Sequence, residues 1–260
     1  MGAASGPAAF CGGSPRTGAD SLPAVARLAL IGGHSILGAE GTLRVTARVV
    51  ETKHGAVELL ESDAFVLCQR HGLREYRTAP RINHRANVAA LAELGCDRVL
   101  ALASVGGLRA ELGVGTFLCP DDFIALHLGV SYADGHGGER VPGFEPAWRA
   151  RVLDAWGRAG IEVADGGVYW QAIGPRFETP AEIRLIAAHA DVIGMTVASE
   201  CVLAGELGLS YAAVCIVDNL ANGIGGTQLT VAEFEAGKAA NRRRLLAAIE
   251  PVAAELAAAG

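Results

Sequence analysis

Short apolar runs that end in glycine-bearing or polar loops, with stretches of helical spacing between them, constrain this chain more than any other feature. RLALI (residues 27–31) stops at Gly32-Gly33, as a buried strand does on entering a tight loop. From Leu43 to Gln69 the residues alternate in the β manner, and the breaks at His54-Gly55 and Ser62-Asp63 predict a meander. Val88, Leu91 and Leu94 recur at helical spacing, and Gly95 supplies the stop of a helix expected over 82–95. RVLALA (98–103) reads as a strand running into a Ser104-Val105-Gly106-Gly107 loop, and 116–126 as one further strand. The same reading predicts helices over 145–160, 180–189 and 198–207, strands over 167–173, 191–194 and 211–217, and a long helix from about Thr230 to the end. Strands alternating with helices predict an α/β single domain with a mixed, largely parallel central sheet flanked by helices.

In such sheets ligands gather at the carboxyl ends of the strands, where loops leave the backbone open. Four loops fit that place: Gly32-Gly33-His34-Ser35, Gln69-Arg70-His71-Gly72, Ser104-Val105-Gly106-Gly107 and Met195-Thr196. A glycine pair after one strand is an ordinary turn. Four such loops in one small domain predict a site.

Composition narrows the class. With 260 residues, 51% hydrophobic and 19% charged, the chain can bury one sizeable core. A net charge of −6 and a single basic run, Arg242–Arg244, argue against nucleic acid as a partner. No apolar run approaches the roughly 18 residues of a membrane span. Residues 1–25 are rich in Gly, Ala, Ser and Pro but lack a signal-peptide pattern; they are expected to be a disordered extension before a domain spanning 26–260. Six cysteines without C-x-x-C spacing, five of them in or beside apolar stretches, predict a reducing, cytoplasmic setting. Seven histidines without H-E-x-x-H spacing give no reason to expect a metal. Neither G-x-G-x-x-G nor G-x-x-x-x-G-K-[ST] occurs, so no dinucleotide or nucleoside triphosphate is expected.

The stretches LALIGGHSI, QRHG, INHRANVAALAELGCDRVLALASVGGL, QAIGPRFETPAEI, DVIGMTVASECVLAGELGLSYAAVCIVDN and EAGKAANRRRLL carry a more specific signal. In order and spacing, from Leu28 to about Pro251, they resemble the trimeric purine nucleoside phosphorylase and methylthioadenosine phosphorylase family. GPRFET followed by GMTVASE and then VDN is the most specific series. The resemblance implies phosphorolysis, in which phosphate takes the ribose C1′ and a purine base departs. That chemistry passes through a ribosyl cation, so an enzyme must hold a dianion beside C1′ and take up negative charge on the leaving base. Backbone N–H groups and a guanidinium fork suit the first task.

By the same resemblance, phosphate would be bound by Gly33, His34 and Ser35, by the Arg70-His71 pair, by Ala103 and Ser104, and by the Thr196 hydroxyl. Phe177 would lie against the purine and Met195 beneath the ribose. Glu178 would accept the N1–H of a 6-oxopurine, and Asn219 would hold N7 and O6. Asn219, Arg70 and His71 are thus the expected catalytic residues, with Asp218 and Ala221 beside them at the base. Adenine-specific members carry Asp-x-Asp beginning where Asn219 stands; here the residues are Asn219-Leu220-Ala221, which favours a 6-oxopurine. Members acting on ordinary ribonucleosides place a His at the start of the last helix, where this chain offers Thr230, Val231 and Phe234. An apolar wall there suits a 5′-methylthio group, so 5′-methylthioinosine joins inosine and guanosine among the expected substrates. Phosphate would be a co-substrate with no further cofactor, and the assembly a homotrimer.

Two departures from the family pattern stand out. The first loop reads Gly33-His34-Ser35 in place of Gly-Gly-Thr/Ser-Gly, and Ala103 replaces a polar residue. Each removes a contact to phosphate worth about 1.5–3 kcal/mol. Blander roles stay open for Thr196 as a helix N-cap, Asp218 as a loop cap, and Val231 and Phe234 as core. Three other activities stay open as well: an adenine-specific methylthioadenosine phosphorylase, a nucleosidase of the same superfold that uses water, and a non-catalytic nucleoside-binding protein. The Arg70-His71 pair weighs against the nucleosidase, because water needs no anion cradle.

Overall fold

Strand β1 (Arg27–Gly32) is apolar on both faces because it runs through the middle of the sheet, where Leu28, Ala29, Leu30 and Ile31 are all buried. It pairs in parallel with β4 (Phe65–Gln69) on one side and β5 (Cys96–Gly107) on the other. Parallel neighbours need a crossover, and helix α1 (His84–Glu93) is part of it. The Asn83 side chain caps α1 by accepting the Ala86 N–H, and Gly95, at φ +77°, lets the chain leave. Strands β2 (Thr46–Thr52) and β3 (Gly55–Glu61) form the antiparallel meander that leads into β4. This computed structural model describes residues 27–33, 36, 43–133, 139–226 and 230–258; the expected extension at 1–25 and the first-loop residues His34 and Ser35 lie outside them.

The sheet forks at β5. Along most of its length β5 pairs in parallel with β11 (Ser210–Leu220), while its last residues, Gly106 and Gly107, also pair antiparallel with β10 (Val192–Gly194). Beyond β10 lie β9 (Val168–Gln171) and β7 (Asp122–Ile124); beyond β11 lie β6 (Phe117–Cys119) and β8 (Ala164–Asp165). Helices α2 (Pro146–Arg158) and α5 (Val231–Ala258) pack Trp148, Trp156, Leu245 and Ile249 onto one face. Helices α1 and α4 (Val197–Glu206) cover the other, and α3 (Pro180–Ile186) closes the end near β9 and β10. The architecture is the expected α/β domain with a mixed sheet and helices on both faces. No helix among the described residues is long and apolar enough to cross a membrane.

Three local expectations are corrected. Residues 104–107 are strand, because all four pair with β11 and the two glycines pair with β10 as well. The single strand expected over 116–126 is two, β6 and β7, with Pro120, which lacks an N–H, between them. And β11 runs three residues past Val217, through a bulge: Val217 faces Val105 and Asn219 faces Gly106, so Asp218 is the extra residue.

Helix α5 is fitted to that bulge. A Cβ on Gly237 would stand 1.7 Å from the Asp218 carbonyl oxygen. Asn241, one turn on, donates its amide to the Val217 carbonyl (3.0 Å) and to Asp218 Oδ1 (2.8 Å). Ordinary helix propensity would have Gly237→Ala stabilise the protein by about 1 kcal/mol. The collision reverses the sign, and the variant is expected to lose about 1–3 kcal/mol, read as a lower urea midpoint.

Candidate functional site

The carboxyl ends of β1, β4, β5, β10 and β11 meet around one cavity of about 250 Å³. It is lined by Gly33, Arg70, His71, Ser104 and Thr196 together with Phe177, Glu178, Met195, Asn219, Ala221 and Phe234. Gly33 and Asn219, far apart in sequence, are thereby brought to one place, because β1, β4, β5 and β11 run parallel and deliver their carboxyl ends to the same edge, while β10, antiparallel to β5, reaches it through the fork.

Arg70 follows β4 and is buried. Its Nε and Nη2 donate to the two carboxylate oxygens of Glu200 on α4, at 2.7 and 3.0 Å, and its Nη1 donates to the Leu102 carbonyl at 2.7 Å. A guanidinium has five N–H donors, so two remain for an anion on the cavity side. The clamp also explains the glycine at 33: a Cβ there would be 2.6 Å from Arg70 Nη1. Burial opposes the charge on both partners. Each overcomes it through the other, so the Glu200 carboxyl is held below its ordinary range and the Arg70 guanidinium above its own. Tyr211 donates to Glu200 at 2.9 Å, and His84, pushed down to about 4 mainly by burial, stands beside it as a neutral ring. Glu200 is the residue sequence reasoning missed. Its signal was a lone carboxylate among Val197, Ala198, Cys201 and Leu203, which a buried helix face tolerates only with a partner.

His71 is held by its own loop. Its Nδ1 donates to the Arg77 carbonyl at 2.7 Å, and the ring stacks on Tyr76 at 5.0 Å between centroids. Thr196 occupies the N-cap position of α4, yet its hydroxyl makes no capping bond. The phenol of Tyr169 instead accepts the Thr196 and Val197 N–H groups, at 3.1 and 3.4 Å. The helix start is thus satisfied from behind, and the Thr196 hydroxyl is spared.

The loop carrying Phe177 and Glu178 is pinned by its neighbours. Thr179 and Glu182 form a reciprocal capping box at the start of α3. Arg176 grips Glu182 with two bonds of 2.9 and 2.7 Å, which with the cap bonds holds that carboxyl down at about 2. Asn222, also unforeseen, donates to the Glu178 carbonyl at 3.2 Å. Burial pushes the Glu178 carboxyl above its usual range. Phe177 meets Phe234 edge to face, 5.5 Å between centroids. Asn219 Nδ2 donates to the Leu220 carbonyl at 2.8 Å, which fixes the plane of its amide.

Several expected site residues fall elsewhere. Ala103 is a core residue of β5, packed in the sheet and absent from the cavity wall. Asp218 is fully buried and turned away from the cavity toward Ser104 and Asn241, because the bulge rotates it off the face that Asn219 occupies. Val231 is 72% exposed on the first turn of α5, and Thr230 is spent on a capping box with Glu233; Phe234, one turn further, forms that wall. Among the described residues, no group of three or more His, Cys, Asp or Glu could hold a metal ion.

Residues 29–254 match the sequence profile of the family described as the Phosphorylase superfamily. An Archaeoglobus fulgidus protein named "Probable 6-oxopurine nucleoside phosphorylase" is 36% identical over 228 residues, covering 86% of this chain and 94% of its own. A Xanthomonas campestris protein named "Probable S-methyl-5'-thioinosine phosphorylase" is 36% identical over 221 residues, covering 79% and 88%. Among solved structures, methylthioadenosine phosphorylase from Schistosoma mansoni in complex with adenine superposes with a TM-score of 0.79 at 25% identity, over 90% of this chain and 93% of that one.

Proposed function

The chain belongs to the phosphorylase superfamily, and we propose that it is a purine nucleoside phosphorylase acting on 6-oxopurine nucleosides, 5′-methylthioinosine foremost among them. The observation that carries this reading is the single cavity lined by Arg70, Ser104, Thr196, Glu178 and Asn219, which we read as two-ended, with Arg70, Ser104 and Thr196 at one end and Glu178 and Asn219 at the other. Phosphate is placed at the first end, where the two spare N–H groups of Arg70 and the Thr196 hydroxyl can meet a dianion. The purine lies at the second end against Phe177, its N1–H donating to Glu178 and its N7 and O6 held by Asn219. Between them the ribose C1′ passes from base to phosphate: the C1′–N9 bond breaks with its electron pair going to the purine, and a phosphate oxygen closes on C1′. Asn219 stabilises the departing charge, and the fixed amide plane means little reorganisation is needed. No cofactor beyond phosphate enters this scheme, and the setting is cytoplasmic.

Phe234 gives the remaining wall an apolar face, and His71 is the one histidine among the described cavity residues. An alkylthio substituent therefore fits the 5′ side better than a hydroxyl, consistent with relatives named for S-methyl-5′-thioinosine. A homotrimer completes the reading, since the outer side of the cavity is lined by a partly exposed Phe177 that a neighbouring copy would cover.

A panel of inosine, guanosine, adenosine and their 5′-methylthio counterparts, each with and without phosphate, tests the proposal. Base release is expected only with phosphate, with methylthioinosine turned over at least about tenfold more efficiently than methylthioadenosine, a difference of about 1.4 kcal/mol. The KM for 6-oxopurine nucleosides should rise as pH falls through the raised range of Glu178, because only the carboxylate accepts N1–H. Glu178→Gln should flatten that rise. Base release without phosphate, or a preference for the adenine nucleoside, sinks the assignment.

A further inference from the structure

We propose that Asp218 works as an uncharged carboxylic acid behind the phosphate site, donating its proton to Ser104 Oγ so that the Ser104 hydroxyl turns its own hydrogen to bound phosphate, and that phosphate binding is therefore accompanied by proton uptake. This rests on the placement of phosphate beside Ser104 argued above. Asp218 becomes a positioning residue: it acts on the anion through Ser104.

The geometry leaves few choices. Asp218 Oδ2 meets Ser104 Oγ, and Asp218 Oδ1 accepts the Asn241 amide at 2.8 Å. The same amide nitrogen donates to the Val217 carbonyl at 3.0 Å. A carbonyl can only accept, so the orientation of the Asn241 amide is fixed and Oδ1 must be an acceptor. Any proton on the carboxyl therefore sits on Oδ2, facing Ser104. A serine hydroxyl has one hydrogen. With Asp218 ionised, that hydrogen points back at the carboxylate, and Ser104 meets phosphate with lone pairs against an anion. With Asp218 protonated, Ser104 accepts from behind and donates in front, and the chain of hydrogen bonds runs from Asn241 through Asp218 and Ser104 to phosphate.

The surroundings move the carboxyl toward the neutral form, and bound phosphate moves it further. From β5 only the Ser104 hydroxyl faces the carboxyl, and from α5 the Asn241 amide and the Lys238 ammonium do. Lys238 is paired with Glu235 and lies over the Phe234 ring. Arg244, further along α5, donates to the Gly115 carbonyl and stacks over Phe117. Burial raises the carboxyl above its usual range, and the bonds from Asn241 and Ser104 and the Lys238 charge only partly oppose it. A phosphate dianion arriving one hydrogen bond away adds negative charge and pushes in the same direction. The balance is simple: ionised enzyme, dianion and one proton give the complex with Asp218 protonated, and no other bond changes.

Asp218→Asn provides the test, because its amide is the neutral acid made permanent, donating from Nδ2 to Ser104 and accepting from Asn241 at Oδ1. KM for phosphate, expressed per dianion, is measured between pH 6 and 9. In the wild type it is expected to rise at the alkaline end by up to about tenfold per pH unit, the limit for one linked proton; in Asp218→Asn it should stay level. The same slope in both proteins overturns the inference. Calorimetry of phosphate binding to the wild type, in two buffers of different ionisation enthalpy, reads the proton directly and serves if the variant fails to fold. Uptake in the wild type that is lost in Ser104→Ala supports the relay, and no uptake overturns it. Absence of any saturable phosphate dependence at all pH values instead removes the phosphorylase reading itself.

Discussion

Glu200→Ala is expected to lower the stability of the protein by about 3–5 kcal/mol, the usual result of removing one member of a buried ion pair. For a chain of this size that corresponds to a fall of roughly 6–20 °C in Tm. The cause is the guanidinium left behind. Arg70 cannot lose its proton, and two of its three protein bonds end on Glu200, so a charge would stand against the sheet with only the Leu102 carbonyl to meet it. Phosphate should partly replace the lost counter-ion, so saturating phosphate is expected to raise the Tm of Glu200→Ala more than that of the wild type, and to leave Arg70→Ala unmoved. The double variant should be less unstable than the sum of the singles by a coupling of about 1–3 kcal/mol. Thermal denaturation of the four proteins with and without phosphate reads all of this. A Glu200→Ala protein melting within about 2 °C of the wild type would show the pair to be ornamental.

The same cluster sets the acid limit. Glu200 is depressed in the folded protein, so its contribution is complete above the ordinary carboxylate pKa of 4.5 and fades as pH drops through its lower folded value. His84 is also depressed, from 6.5 to about 4. The unfolded chain therefore binds the extra proton between those values, and stability falls with pH across that window. Both groups push the same way.

What could be read from the residues was what short-range chemistry writes into them. The glycine stop at Gly95, the apolar run of β1 and the alternation of the meander all act within a few positions, and all appear in the structure. The cavity residues carried by the motifs, from Arg70 to Asn219, also line one space. Legibility ended where partners lie far apart. Arg70 and Glu200 are 130 residues distant in sequence, and nothing local says that a carboxylate on an apolar helix face will meet that guanidinium. It also ended at the bulge. A period-two reading of VDN puts Val217 and Asn219 on one face and Asp218 on the other, but cannot tell that Asp218 is the inserted residue, or that Gly237 and Asn241 on α5 exist to fit it. Ser104 to Gly107 looked like a loop because glycines usually punctuate; here they let β5 carry two neighbours at once.

Asn219→Ala is expected to reduce kcat for 6-oxopurine nucleosides by about 10²–10³-fold, the cost of losing one donor aimed at developing negative charge. The argument turns on what the amide is bonded to. One Nδ2 hydrogen is held by the Leu220 carbonyl at 2.8 Å, so the plane is set before any purine arrives, and the remaining N–H and the oxygen are presented without a search. That contact strengthens only as the base becomes an anion, so its removal should fall on kcat and leave KM for phosphate near the wild-type value. Asn219→Asp separates charge from shape. A carboxylate repels the leaving purine anion at N7 and O6, and should be at least as damaging as alanine for inosine, while an adenine nucleoside, protonated at N7 and offering its 6-amino group, should lose far less. Steady-state kinetics on both nucleoside classes, with phosphate varied independently, distinguish these outcomes. If Asn219→Ala raised KM for phosphate and left kcat intact, the amide would belong to the anion end of the cavity, and the two ends assigned to Arg70 and Asn219 would have to be exchanged.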